Sequence, residues 1–227
     1  MSWRVVIVTR IAPVLAGFDA VVRAVGREPV ALMSMRDHDG HPSLLPRHRG
    51  PLPVAWAIRE GDEEIGITFH RMDADLDTGP ILAQRRYPLG ELRPPDAFYP
   101  ELGQVVGEAL AEALERLAAG DEGTPQEEGG SYESFFAEED AWLDLSRPAV
   151  EVHRLAWAWL YAMSAGGTRG ALLELDGKPV RVLATSLTEV EGARRLECGD
   201  GPLWVVETEE LSEEEASSSS GPAPSTQ

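Results

Sequence analysis

Three of the five histidines fall within eleven residues, in the stretch Asp37-His38-Asp39-Gly40-His41-Pro42-Ser43-Leu44-Leu45-Pro46-Arg47-His48-Arg49-Gly50. A second polar cluster, Asp73-Ala74-Asp75-Leu76-Asp77-Thr78-Gly79-Pro80, follows an apolar run. A histidine near a carboxylate makes an acid–base pair, because the carboxylate orients the imidazole and favours its charged form. Both clusters adjoin predicted strands, and open α/β sheets collect their ligands at strand ends. A metal site built from Asp37, His38, Asp39 and His41 is the competing reading and would make the chain a metal-assisted hydrolase; its spacing follows no recurring ligand pattern. Read as a calcium loop, Asp73, Asp75 and Asp77 fail, since glycine comes at position seven instead of six and Gln84 stands where glutamate is needed. His38, His48, His70 and His153 are assigned plain structural roles, and Asp73 and Asp75 the capping of a loop. Trp142, Trp157 and Trp159 are expected to be core or surface aromatics. A ligand-holding and an ion-pairing role both stay open for Arg47 and Arg49.

The elements that must position these residues follow from pattern. Residues 4–9 are β-branched and mostly apolar, as suits a buried parallel strand. A helix over 15–26 would bury Leu15, Phe18, Val21, Val22 and Val25, end at Gly26, and lead into a strand over 29–33. No G-x-G-x-x-G follows the first strand, so dinucleotide binding has no support. Strands are expected over 64–70 and 80–85. A helix over 101–119 would carry Leu102, Val105, Val106, Ala109, Leu110, Ala113, Leu114 and Leu117 on one face, with Gly120 stopping it. Composition marks the following Gly/Glu/Pro-rich stretch as a linker. Beyond it, Ser146 is the expected N-cap of a helix running through about Met163, with Pro148 in its first turn. Two hairpins follow, one around Asp176-Gly177 and one around Gly199-Asp200-Gly201.

Composition narrows the function classes. The 227 residues suffice for one large or two small domains, and 43% hydrophobic with 26% charged residues is globular. No run approaches the length of a membrane-spanning helix, and the start has no signal-peptide layout. The single cysteine, Cys198, excludes an internal disulfide framework and a multi-cysteine zinc site, so a reducing, cytoplasmic location is expected. The net charge of −19 is uneven: residues 120–146 hold nine acids and no base, and residues 207–227 six acids and no base. The rest is close to neutral, and no basic nucleic-acid footprint is visible.

His41-Pro42-Ser43-Leu44-Leu45-Pro46-Arg47-His48-Arg49-Gly50-Pro51 resembles the N-x-H-x-S-L-L-P-x-x-R-G signature of 10-formyltetrahydrofolate-dependent formyltransferases, which include methionyl-tRNA formyltransferases and sugar N-formyltransferases. Residues 66–73 and 76–84 resemble that family's second signature, and residues 139–184 its small C-terminal barrel. The resemblance implies transfer of a formyl group from 10-formyltetrahydrofolate, a co-substrate, to a primary amine. His41 would stabilise the tetrahedral oxyanion, and Asp77 would hold His41 and help take the amine proton. Ser43, Leu44, Leu45 and Pro46 would lie along the folate, with loop 72–77 bordering the pterin ring. Arg47 and Arg49 would hold the folate tail or an acceptor phosphate, or pair with the acidic loop.

Two departures stand out. Asp39 occupies the place of the family's asparagine, where it can donate to an oxyanion only when protonated. Only residues 34–38 separate the second strand from Asp39, too few for a further βα unit of roughly 30 residues, so central strands are missing. The expected architecture is α/β. A truncated Rossmann-like formyltransferase domain (1–119) precedes an acidic linker (120–136), a small OB-like β-barrel domain (137–208) and a disordered tail (209–227). On family grounds the first candidate acceptor is the amino group of methionyl-tRNA. A sugar-nucleotide or other small amine, and a degenerate inactive relative, are the alternatives; no membrane partner is expected, and the oligomeric state is left open.

Overall fold

The computed structural model describes residues 5–8, 23, 29–33, 41–71, 73–212 and 215. The chain divides into two units, the first spanning Met1–Ala57 and Asp62–Ser134, the second Ile58–Gly61 and Phe135–Gln227.

The first unit opens on β1 (Val5–Val8) and β2 (Pro29–Met33), paired in parallel as the β-branched run of β1 predicts. Of the helix expected over 15–26, only Arg23 is described, and it is helical; the remainder lies outside the described residues. Helix α1 (Pro53–Glu60) leads into β3 (Glu64–His70), which pairs antiparallel with β4 (Ile81–Pro88). Ile65 and Ile67 are buried on one face of β3, Gly66 and Thr68 on the other, so the strand is covered on both sides. Among the described residues, β1–β2 and β3–β4 form two separate two-stranded sheets. The sequence between β2 and the His41 motif is too short to supply strands that would join them.

The helix expected from residue 101 is divided. A short α2 (Pro95–Glu101) precedes α3 (Gly103–Ala118), and Leu102 caps both. Pro94 and Pro95 set the backbone for the first, which the apolar periodicity could not reveal. Ala109, Leu110, Ala113 and Leu114, spaced at one and three residues, are the buried stripe of α3, which packs on β4 and β3. Burial of side chains such as Leu110 and Leu114 contributes about 1.5–3 kcal/mol each. Phe98 of α2 meets Tyr87 of β4 edge to face.

Residues 120–134, a linker by composition, group with the first unit. Thr124 bridges Ile81, and Tyr132 bridges Arg49 in parallel. Glycine and glutamate made this stretch look solvated, yet its backbone carries the pairing.

The second unit is a four-stranded antiparallel sheet in the order β5 (Ala171–Leu175), β6 (Lys178–Ser186), β8 (Pro202–Glu210), β7 (Arg194–Glu197), with helix α4 (Ala149–Leu160) packed on it. Asp176 and Gly177 both have positive φ, as the two central residues of the tight hairpin demand. Trp157 and Trp159 are buried, and their indole N–H groups reach the carbonyls of Thr185 and Asp140. Ser146 is not the N-cap of α4: Pro148 holds that position, and the Ala149 N–H donates to Asp200 Oδ1 at 2.7 Å from the second hairpin turn. A proline at the cap has no side-chain acceptor, so a distant aspartate fills the role. Strand β8 runs through Glu210, so residues 209 and 210, counted with the disordered tail, belong to the sheet. Beyond them, Glu215 accepts from Arg181 at 2.6 Å.

Candidate active site

The His41 motif is fixed by its backbone first. The His41 carbonyl accepts from the Ser43 N–H at 2.8 Å and the Thr68 N–H at 3.0 Å, docking the motif against β3. Gly66 makes that approach possible: a Cβ there would lie 2.6 Å from the Leu44 side chain and 2.7 Å from the Ser43 carbonyl oxygen. Ser43 is buried, its hydroxyl donating to the Arg47 carbonyl at 2.7 Å and its carbonyl accepting from Thr68 Oγ1 at 2.7 Å. Gln84 of β4 donates to the Leu45 carbonyl and to Thr68 Oγ1. Ser43 and Leu45 are thus turned inward, while Leu44 and Pro46 are half-buried. The Leu45–Pro46 peptide is cis.

Asp77 reaches the motif from the loop after β3. Its φ is +57°, and the Gln126 side-chain amide donates to the Asp77 carbonyl at 2.8 Å and the Gly79 carbonyl at 2.9 Å. Gln126 in turn accepts from Arg49 Nη2 at 2.7 Å, so a residue of the acidic stretch ties the two motifs together. Asp77 Oδ2 accepts from the Gly50 N–H at 2.9 Å and lies 3.5 Å from His41 Nδ1. Its other oxygen lies 3.7 Å from His70 Nε2. The side chains of His41 and Asp77 are 6% and 15% exposed, which puts the pair in a low-dielectric setting.

The far nitrogen of His41 settles its tautomer. Nε2 lies 2.7 Å from the His48 carbonyl oxygen, and a carbonyl only accepts, so Nε2 carries a proton. Nδ1 is then the nitrogen that gains or loses a proton, and it faces a carboxylate. Burial raises the Asp77 pKa, but His70, the positive charge of His41 and the Gly50 N–H outweigh it and hold the carboxyl below its usual range. For His70 burial works downward, yet Asp77, the Arg71 carbonyl and the charge of Asp73 leave the imidazole above its ordinary value. The arrangement is an ionised carboxylate between two imidazoles, able to stabilise an imidazolium and to receive a proton.

The structure brings His41 and Asp77 together across 36 residues of sequence. Asp39, Asp37 and His38 lie outside the described residues, and so does Met72 of the loop expected at the pterin. Of the four proposed metal ligands, only His41 is described, and its two nitrogens face a carbonyl and a carboxylate. Asp73 accepts from Thr78 Oγ1, closing its loop as expected. Arg47 donates to Asp62 at 2.9 Å and is half exposed; Arg49 is engaged with Gln126. Three participants escaped sequence reasoning: His70, Gly50 and Gln126. His70 had a detectable signal, since it ends the strand from which the Asp77 loop departs.

The family model described as "Formyl transferase" matches residues 14–114. A methionyl-tRNA formyltransferase of Roseiflexus sp. (strain RS-1) is 36% identical over 199 residues, 83% of this chain and 58% of the relative. A methionyl-tRNA formyltransferase of Myxococcus xanthus (strain DK1622) is 36% identical over 204 residues, 82% of this chain and 64% of the relative. The chain therefore spans about three fifths of the length of these curated relatives. Among solved structures, HypX from Aquifex aeolicus in complex with tetrahydrofolic acid superposes with a TM-score of 0.66 at 21% identity, covering 93% of this chain and 45% of that one. That likeness bears on the fold, which is mixed α/β.

Proposed function

We propose that the chain is a member of the formyl transferase family, whose model matches residues 14–114, and that it transfers a formyl group from 10-formyltetrahydrofolate to a primary amine. The observation that carries this reading is the approach of His41 Nδ1 to Asp77 Oδ2. In this mechanism the amine attacks the formyl carbon, the C=O electrons move onto oxygen, and collapse of the tetrahedral adduct releases tetrahydrofolate. With the Nε2–H committed to the His48 carbonyl, His41 acts on the oxyanion through its positive charge rather than through that hydrogen bond. At about 5 Å and an effective dielectric near 20, such a charge contributes roughly 3 kcal/mol. Asp77, kept ionised, takes the proton shed by the amine and passes it to the departing folate nitrogen, so the carboxylate ends as it began. Asp39 assists only in its protonated form.

The folate would meet the half-buried Leu44 and Pro46, with Ser43 and Leu45 shaping the turn from behind. The exposed loop 73–76 is the border proposed for the pterin. We read β1–β2 as the remnant of a Rossmann-like sheet, and the second unit as the family's small OB-like barrel domain; its four antiparallel strands and tight hairpins support that assignment. No helix among the described residues is long and apolar enough to cross a membrane, and a cytoplasmic location is proposed on the solitary Cys198.

Methionyl-tRNA is the first acceptor to test, because relatives at 36% identity carry that name. The acidity of the chain weighs mildly against it, since a tRNA surface calls for positive charge, and an amino-sugar nucleotide is the second acceptor. Formyl transfer is assayed with 10-formyltetrahydrofolate and each acceptor in turn. Product with either one supports the reading, and its loss in His41→Asn ties the reaction to this site. A folded chain that transfers to neither acceptor fits the degenerate alternative and contradicts the proposal.

A further inference from the structure

His48 has a backbone conformation that few non-glycine residues adopt. Its φ is +54°, in the left-handed region. Its N–H donates to Ser131 Oγ at 2.9 Å, and its carbonyl receives the Nε2–H of His41 at 2.7 Å. Its ring is 4% exposed and lies between two carboxylates from distant segments. Nε2 is 2.9 Å from Asp62 Oδ2, and Nδ1 is 3.4 Å from Glu133 Oε1. The remaining oxygen of Asp62 takes Arg47 Nη2 at 2.9 Å, so one carboxylate grips two consecutive residues of the motif. Glu133 is anchored by its own N–H, which donates to the Arg49 carbonyl at 2.9 Å.

Packing alone is a poor reason for this cluster. Burying an imidazole with two carboxylates is costly, and both His48 Nδ1 and Glu133 Oε2 are buried without a hydrogen-bond partner. The cluster sits on the turn that sets the direction of one carbonyl, beside backbone bonds such as that from the Arg49 N–H to the Ser131 carbonyl at 3.1 Å. A left-handed residue released from its side-chain grip relaxes toward negative φ, which swings that carbonyl away from His41.

We propose that His48 is a positioning residue for His41: its ring, bonded to Asp62 and set beside Glu133, holds the left-handed turn whose carbonyl fixes the Nε2–H of His41 and so points Nδ1 at Asp77. The proposal rests on the reading of His41 as the catalytic imidazole, and it adds a second histidine that never touches substrate.

The test follows exchange of the His41 Nε2–H in the full chain by side-chain NMR with labelled nitrogen. His48→Ala raises the exchange rate about tenfold or more, because the protecting carbonyl turns away. His48→Asn, which tolerates the left-handed region and keeps a hydrogen-bonding side chain, stays within about threefold of the original chain. Unchanged protection in His48→Ala overturns the proposal. If that variant does not fold, Asp62→Ala loosens the hold on the ring with the ring in place; the same rise is expected, and unchanged protection there overturns the proposal equally. In the transfer assay, His48→Ala lowers kcat while KM for the folate donor moves less than about twofold. The exchange measurement needs no turnover. An inactive original chain therefore contradicts the proposed function alone, whereas an active chain with unmoved His41 exchange contradicts the positioning role alone.

Discussion

Gly50 and His41 converge on the same oxygen of Asp77: the Gly50 N–H donates to Oδ2 at 2.9 Å while His41 Nδ1 stands 3.5 Å away. A backbone donor fixes the carboxylate, and the carboxylate in turn faces the imidazole. Substituting Asp77→Asn keeps an acceptor for Gly50 but removes the negative charge. Turnover is expected to fall about a hundredfold or more, with the folate KM little changed. Steady-state kinetics decides this; a kcat within a few-fold of the original chain would remove Asp77 from the chemistry.

Gly50 is irreplaceable for two independent reasons. Its φ is +112°, and a Cβ would lie 2.0 Å from the Glu133 carbonyl oxygen. Neither the backbone nor that carbonyl can yield cheaply, so Gly50→Ala should destabilise the chain by about 2–4 kcal/mol. A denaturant titration reads the loss, and a change below about 0.5 kcal/mol would mean that the turn is not held as described.

His70, Asp77 and His153 are among the shifted groups that make stability depend on pH. His70 has a raised folded pKa, so its contribution is complete below 6.5 and disappears as pH climbs through the folded value. Asp77 has a lowered one, so its contribution is complete above 3.8 and disappears as pH falls through the folded value. His153 is pushed down to about 4, chiefly by burial and then by the charge of Arg154. Its effect is a penalty that grows as pH drops from 6.5 toward 4, because the unfolded chain takes up the proton first. Allowing for partial solvent screening, that penalty is about 1–3 kcal/mol. Unfolding free energies over pH 4–8 test both histidines: His153→Gln should flatten the acid side, and His70→Gln the side above pH 6.5. Parallel curves for all three proteins would contradict the assignment.

Gln126 joins Arg49 to the carbonyls of Asp77 and Gly79. Gln126→Ala strands those carbonyls and the Arg49 guanidinium, at a cost of about 1–3 kcal/mol. Hydrogen exchange of the amides in the 73–80 loop should accelerate, with little change in the second unit's sheet. Uniform acceleration over both units would point to general destabilisation instead.

Much of this was legible in the sequence, where the determinant is local. Alternating and β-branched residues gave strand 64–70 with its observed ends, and Asp176-Gly177 gave its hairpin because only certain residues accept two positive φ values. His41 and Asp77 emerged from motif resemblance, since nothing in a 36-residue separation says that two side chains meet. His48 looked like an ordinary loop histidine because its surroundings come from Asp62 and Glu133, which no local pattern connects. Ser146 lost the cap of α4 to Asp200 for the same reason: a capping oxygen can arrive from across the fold. Residues 120–134 misled by composition, because backbone pairing to Ile81 and Arg49 leaves no trace in hydropathy.

The most direct test of the account is formyl transfer from 10-formyltetrahydrofolate, measured as tetrahydrofolate released and formylated amine formed, for the original chain, His41→Asn and Asp77→Asn. Stoichiometric product with methionyl-tRNA or an amino-sugar nucleotide is expected from the original chain, with about a hundredfold or greater loss in both variants. Undiminished transfer in either variant, or none from a folded, folate-saturated original chain, would contradict it.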